Sequence, residues 1–349
     1  MHDVRQSASP QGPAALTRRN FLRGVGAGAA ALAAASALPN VSHSLAVAAQ
    51  TAAGTPTRTA EELLRDLWGT LSDDQRRQVV KPWDHRSANA LTRHRMVNAA
   101  LDRRIGQVYT PAQRDLLLRV VRAFSRDEDG FDRICRRESP DRAWDNSQNF
   151  ESVGADFFGS MEGNAQWAWV LSGHHITIRC DGNSDRDRAF GGPIYYGHTP
   201  DGYSQRNLWN YQTRAALAVY EALSEQQRMQ AVVVGTPGEG DSSVRLRAQG
   251  EMIPGIACAD LTRSQRTMVI NVMHQVLSPF RQEETDRVMN IVNRTGGLQR
   301  IHLAFYREAN ETEQTRWHFW RLEGPGLVWN YRVLPHVHCY VNIAVPRNT

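Results

Sequence analysis

The sequence predicts an α+β fold: capped amphipathic helices packed on a mainly antiparallel sheet, with a C-terminal strand meander. Three observations carry this prediction. Helix-start signals are spread over the chain up to Thr262, the apolar period switches from helical to alternating after Gly297, and the last four strand-like runs follow one another too closely for crossover connections. Helices before and between strands, closed by a meander, argue for one α+β domain over 49–349 rather than a doubly wound sheet.

The helices announce themselves first. "SDDQR" at Ser72, "TPAQR" at Thr110, "SEQQR" at Ser224 and "TRSQR" at Thr262 are capping boxes. In each, the hydroxyl accepts from the backbone N–H three residues on and the glutamine side chain returns to the cap's own N–H. Pro111 stands at the first helical position, where a missing donor costs nothing. Because local physics favours this box wherever a helix begins, its recurrence reads as convergence rather than duplication. Further helices are expected at 60–69, 89–106, 126–137, 205–223 and 283–295, the last stopped by Gly296 and Gly297. Residues 235–255, rich in glycine and charge without periodicity, read as a long loop.

Alternation then takes over. "RIHLAFYR", "TRWHFWRL", "GLVWNYRV" and "HVHCYVNIAV" read as four strands, and "QWAWVLSGHHITIRC" as one strand or two interrupted at Gly173. Trp167, Trp169, Trp317, Trp320 and Trp329 fall at strand period, which points to sheet packing rather than a sugar-stacking platform.

Residues 1–48 read as an address. Arg18 and Arg19 precede Phe21 and Leu22, then a Gly/Ala-rich run too weakly apolar to span a membrane, then the small-residue "AVA" at Ala46–Ala48. This pattern predicts twin-arginine export to the periplasm or beyond, with the twin-arginine translocase as a transient partner and no stable span in the mature chain. The leader's Arg5, Arg18, Arg19 and Arg23 against Asp3 account for most of the formal charge of +5. What remains implies no nucleic-acid partner.

Composition removes several chemistries. Lys81 is the only lysine and lacks a Gly-rich loop, which argues against Schiff-base, pyridoxal-lysine and P-loop mechanisms. Cys135, Cys180, Cys258 and Cys339 are far apart with no C-x-x-C pair, so zinc-ribbon and thioredoxin-like readings fail, and disulfides are permitted but not required. No G-x-S-x-G elbow, H-E-x-x-H helix or dinucleotide fingerprint occurs.

The histidines are what is left. In "HVHCYVNIAV" Val337, Cys339, Val341, Ile343 and Val345 form a core face, while His336, His338, Tyr340 and Asn342 point the other way, so both rings can reach one ion. In "GHHITIRC" a regular strand puts His174 with Ile176 and Ile178, and His175 with Thr177 and Arg179, making His175 the better ligand. A bulge at Gly173 would bring His174 in as well. His302 and His318 are weaker candidates, and His198 in "YYGHTPDG" reads as a turn residue. The competing reading is that these are hydrogen-bonded strand histidines and nothing more.

The order "WAWVLSGHHITI", "GGPIYYGHTP", "ALSEQQR", "GIACADLTRSQR", "WRLEGPGLVWNY", "HVH" resembles that of the domain-of-unknown-function 3500 family, bacterial proteins frequently found with export signals. The resemblance covers roughly 60–345 and is most specific at Gly173, His174, His175, His336 and His338. It implies no reaction. The family's acidic residue after the "GP" strand and its acidic tail are replaced here by Trp329 and "CYVNIAVPRNT". The expectation is an exported metalloprotein with zinc or copper on His174, His175, His336 and His338, acting as a metal-dependent hydrolase or oxidase on a small-molecule or peptide substrate. Its rival is an exported binding protein with structural histidines.

Overall fold

A computed structural model describes residues 58–87, 90–96, 101–135, 150–247, 250–309 and 316–346. Residues 1–48, where the sequence predicts an export leader, lie outside the described residues. The described residues all belong to the compact unit Thr57–Thr349. It is an α+β structure whose large mixed sheet of eleven strands is mostly antiparallel.

The first half opens with helices α1 (Ala60–Thr70) and α2 (Asp73–Val79), which runs straight into β1 (Val80–Lys81). A two-stranded β2 (Arg86–Ser87) and β3 (Ala90–Leu91) follow, then α3 (Ile105–Val108), α4 (Pro111–Phe124) and α5 (Glu128–Cys135). Strands β4 (Gly154–Gly159), β5 (Trp167–Gly173), β6 (Ile176–Cys180) and β7 (Ile194–His198) complete it. The second half repeats the pattern: α6 (Asn210–Ala222), α7 (Glu225–Ala231) running into β8 (Val232–Val234), then β9 (Ile256–Ala257), α8 (Arg263–Leu277) and α9 (Gln282–Arg294). It ends on β10 (His302–Arg307), β11 (Phe319–Gly324), β12 (Leu327–Arg332) and β13 (Val337–Ile343), the expected antiparallel meander.

The sheet order is β1-β4-β5-β6-β7-β13-β12-β11-β10-β8, with β9 beside β10. It reads the same from either end. The outer pairs β1/β4 and β8/β10 are parallel and every pair between them is antiparallel. At the centre Tyr195 of β7 faces Tyr340 of β13, their rings stacked at 4.5 Å.

The four capping boxes obey the same symmetry. All are formed, and their glutamines interlock in pairs. Gln75 donates to Gln113 at 2.7 Å and Gln113 returns a bond at 3.1 Å; Gln227 and Gln265 do the same at 3.0 and 2.8 Å, each pair separated by 38 residues. Each glutamine also donates to a backbone carbonyl of the partner helix region, Val108, Thr70, Asp260 and Ala222 in turn. The recurrence is therefore a repeated tertiary unit, not four independent local solutions. A fifth box, Thr59 with Glu62, caps α1.

One sheet face carries Trp169, Leu171, Ile178, Cys339, Val341, Trp329, Trp320 and Phe305, all buried in the main core with the helices. Trp167 and Trp317 join it, so the tryptophans pack as expected. The opposite face is equally buried but mixed: Asp156, Ser172, Thr177, Arg179, Asn330, Arg321 and Glu323 alternate with small apolar clusters such as Phe158 with Val170, Tyr195 with Tyr340, and Tyr306 with Phe319. Connecting segments cover it by supplying backbone acceptors. Asn330 donates to Gly238 O and Asn342 to Val244 O, both at 2.9 Å, while Arg179 reaches Arg95 O and Arg321 reaches Ser243 O.

Two further expectations change. The helix expected at 89–106 is, where described, β3, a 3-10 turn at Thr92–His94 and the short α3. Tertiary contacts override its periodicity: Thr92 bonds His85 at 2.8 Å, and buried Arg93 stacks on Trp83 at 3.7 Å and faces Asp185 at 3.7 Å. His198 is no turn residue but the buried last residue of β7, opposite Val337. The four cysteines are buried free thiols. No helix among the described residues is long and apolar enough to cross a membrane.

Candidate metal centre

"GHHI" does not run through as a strand. Gly173 pairs with Ile176, so His174 and His175 are the two turn residues of the β5–β6 hairpin, and His175 takes a left-handed φ of 59°. Parity thus does not aim either ring; the turn does. His175 is buried against the sheet's polar face, while His174 is exposed, its ring 3.9 Å from that of His175. Gly197 on β7 makes room: its N–H donates to His175 O at 3.1 Å, and a Cβ there would lie 2.9 Å from the imidazole.

His338 sits on β13, whose alternate residues Val337 and Cys339 are buried in the core, so its ring projects to the polar face as expected. His336 lies just before that strand. Nε2 of His175 is 3.1 Å from Nε2 of both His336 and His338, and those two are 2.9 Å apart. The three form a group able to hold a metal ion; His174 is not a member. His302 and His318 are elsewhere, at Gly255 O and near Glu308.

Three ring nitrogens this close cannot all present lone pairs to one another without a proton or cation between them. Donors ~2 Å from one ion lie ~3.3 Å apart in ideal tetrahedral and ~3 Å apart in ideal octahedral coordination, so the observed triangle fits a facial three-nitrogen set. Neutral imidazole is the form that coordinates. Burial holds His338 below its ordinary pKa, with Arg332 and His336 adding to the depression and Glu239 opposing it.

Two residues complete the centre that the histidine pattern alone does not reveal. Glu239 Oε1 accepts from His338 Nδ1 at 2.9 Å, which fixes the proton there and turns Nε2 outward as an acceptor. Its Oε2 accepts from Arg332 Nη1 at 2.6 Å, and Arg332 Nη2 lies 2.8 Å from His338 Nε2 and 3.1 Å from His336 Nε2. Glu239 comes from the aperiodic 235–255 loop. Its one signal was an acid between two glycines, Gly238 with φ 72° and Gly240, in "TPGEGDSS". Arg332 shares parity with Asn330 on β12, and only its register opposite His338 marks it.

The class this defines is an α+β protein with a palindromic sheet and three histidines gathered where the β5–β6 turn meets the start of β13. This chain belongs to the family described as "Protein of unknown function (DUF3500)", whose profile matches residues 53–343. No curated protein and no solved structure matches it.

Proposed function

We propose that this is an exported metalloprotein in which His175, His336 and His338 hold one zinc or copper ion, for metal-assisted hydrolysis or oxidation. The observation that carries the reading is the convergence of three Nε2 atoms within 3.1 Å of one another. Three neutral ligands leave a coordination position for water or substrate, and a bound ion would acidify that water or polarise a substrate oxygen. Glu239 supports the reading because carboxylate–histidine pairs fix ligand tautomers in metal sites. Export rests on Arg18 and Arg19 with the apolar and small-residue stretches behind them.

Elemental analysis of the full chain purified without chelators tests the centre. About one equivalent of a transition metal, lost with His338→Ala, is expected; no metal on isolation and no uptake on titration refutes it. Export is tested by fractionation of an Arg18→Lys/Arg19→Lys double variant, which should strand in the cytoplasm because guanidinium rather than charge is read.

A second reading has its own observation. Arg332 Nη2 donates into the same lone pairs that an ion would take. A binding protein whose histidines are held by Arg332 and Glu239 alone would show no metal and a fold insensitive to chelators.

A further inference from the structure

We propose that Arg332 is the anion-binding residue of this centre, and that the ligand placed there presents a single anionic oxygen, as a carboxylate or a phosphate monoester does. The proposal rests on the metal reading above and deepens it.

The guanidinium is held on three sides. Nε donates to His336 O at 3.1 Å, Nη1 to Glu239 Oε2 at 2.6 Å, and Nη2 faces the Nε2 atoms of His338 and His336. The first two bonds do not involve the ligating lone pairs, so they persist when an ion binds. The third set does not persist, because a coordinated lone pair no longer accepts a proton. Nη2 then stays beside two of the ligating nitrogens with its N–H groups unpaired in a half-buried site. The acceptor within its reach is the oxygen that completes the ion's shell.

Charge and shape narrow the ligand. Glu239 is already engaged by Arg332 and His338, so an added divalent ion leaves an excess of positive charge at that oxygen. With Nε and Nη1 committed, the guanidinium cannot grip a carboxylate by its forked edge and offers one nitrogen to one oxygen. A groove of about 620 Å³ is lined by Arg332 and Arg316, by Asp201, Glu239 and Glu308, and by Thr236 and His318. That is room for a small organic anion beside Arg332.

The test uses the full chain loaded with cobalt, whose visible bands report ligands on the ion, titrated with inorganic phosphate and with acetate. Wild type should bind at least one of them. Arg332→Gln should load the same cobalt equivalent yet bind that anion at least about tenfold more weakly, with Arg332→Lys in between. Phosphate favoured over acetate assigns a phosphoryl ligand, and the reverse a carboxylate. Equal affinities in wild type and Arg332→Gln, at equal metal content, overturn the inference and leave the metal reading standing. Failure of wild type to load cobalt removes both, and stoichiometry alone shows which has failed. If Arg332→Gln does not melt cooperatively, the lysine variant carries the comparison: an unchanged affinity there, together with unchanged response to salt, is the overturning result.

Discussion

His175, His336 and His338 differ from His174 only in where the backbone lets their rings go. His338→Ala should lower metal affinity at least about tenfold while the fold stays cooperative, since the main core packs on the other side of β13 through Val337, Cys339, Val341 and Ile343. His174→Ala should leave binding unchanged, because its ring is exposed beside the centre rather than in it. Val337→Ala should show the opposite profile, full metal binding with a loss of about 1 to 3 kcal/mol from the cavity it opens. Glu239→Gln keeps the size of the side chain but gives up the carboxylate that orients His338, and about a tenfold to hundredfold weaker metal affinity is expected. Metal titrations and thermal melts on the four variants check these outcomes together; a metal-dead His174→Ala would refute the assignment of ligands. At this scale His338 was legible because period-two alternation fixes which way a strand residue points, whereas His336 lies just before the strand and outside that argument. Glu239 was not, because nothing periodic constrains a loop.

The elements place those side chains. The β5–β6 turn brings His175 over β7, and the β12–β13 connection delivers His336 and His338 from the other half of the sheet. Gly197 on β7 is the contact between the two deliveries. A Cβ there would lie 2.6 Å from Val337 O and 2.9 Å from the His175 ring, neither of which real side chains tolerate. Gly197→Ala should therefore push β7 from β13 or turn His175 away, with metal affinity falling more than Val337→Ala causes at comparable loss of stability. Parallel melts and titrations separate the two effects; Gly197→Ala binding metal normally would show that the hairpin tip adapts. The sequence favoured His175 over His174 by a strand argument that the turn makes irrelevant. A positive φ at the second turn residue is a backbone property that alternation cannot see.

Across the whole molecule, the sheet's second face buries many polar side chains, and this has a measurable cost. Asp156 on β4 is buried, its Oδ1 has no hydrogen-bond partner, and burial pushes its pKa up to about 7, with Lys81 opposing and Asp102 adding to the rise. Below pH ~4 the group is protonated in both folded and unfolded chains. Between there and about 7 only the folded chain keeps the proton, so this group's contribution to stability falls as pH rises through that window and is constant above it. Asp156→Asn should be more stable than wild type at pH 8, by at most ~4 kcal/mol, and show no such gain at pH 4. Denaturant midpoints at the two pH values decide it, and an equal difference at both refutes the assignment.

The two halves also differ where they should match. Arg179 follows Thr177, which faces Tyr195, as Arg332 follows Asn330, which faces Tyr340. Arg332 meets histidines and a glutamate. Arg179 is buried with Arg95 O, beside the backbone of Gly192, so the repeated scaffold carries one histidine centre rather than two among the described residues.

By itself the sequence determined the capped helices, the four-strand meander and the direction of His338, because capping and alternation depend on residues a few positions apart. Tertiary structure decided the pairing of capping boxes into interlocked units, the turn that aims His175, and the loop that brings Glu239 to Nδ1 of His338. Those outcomes depend on contacts between segments distant in the chain, where side-chain packing and backbone acceptors, not local periodicity, set the energy.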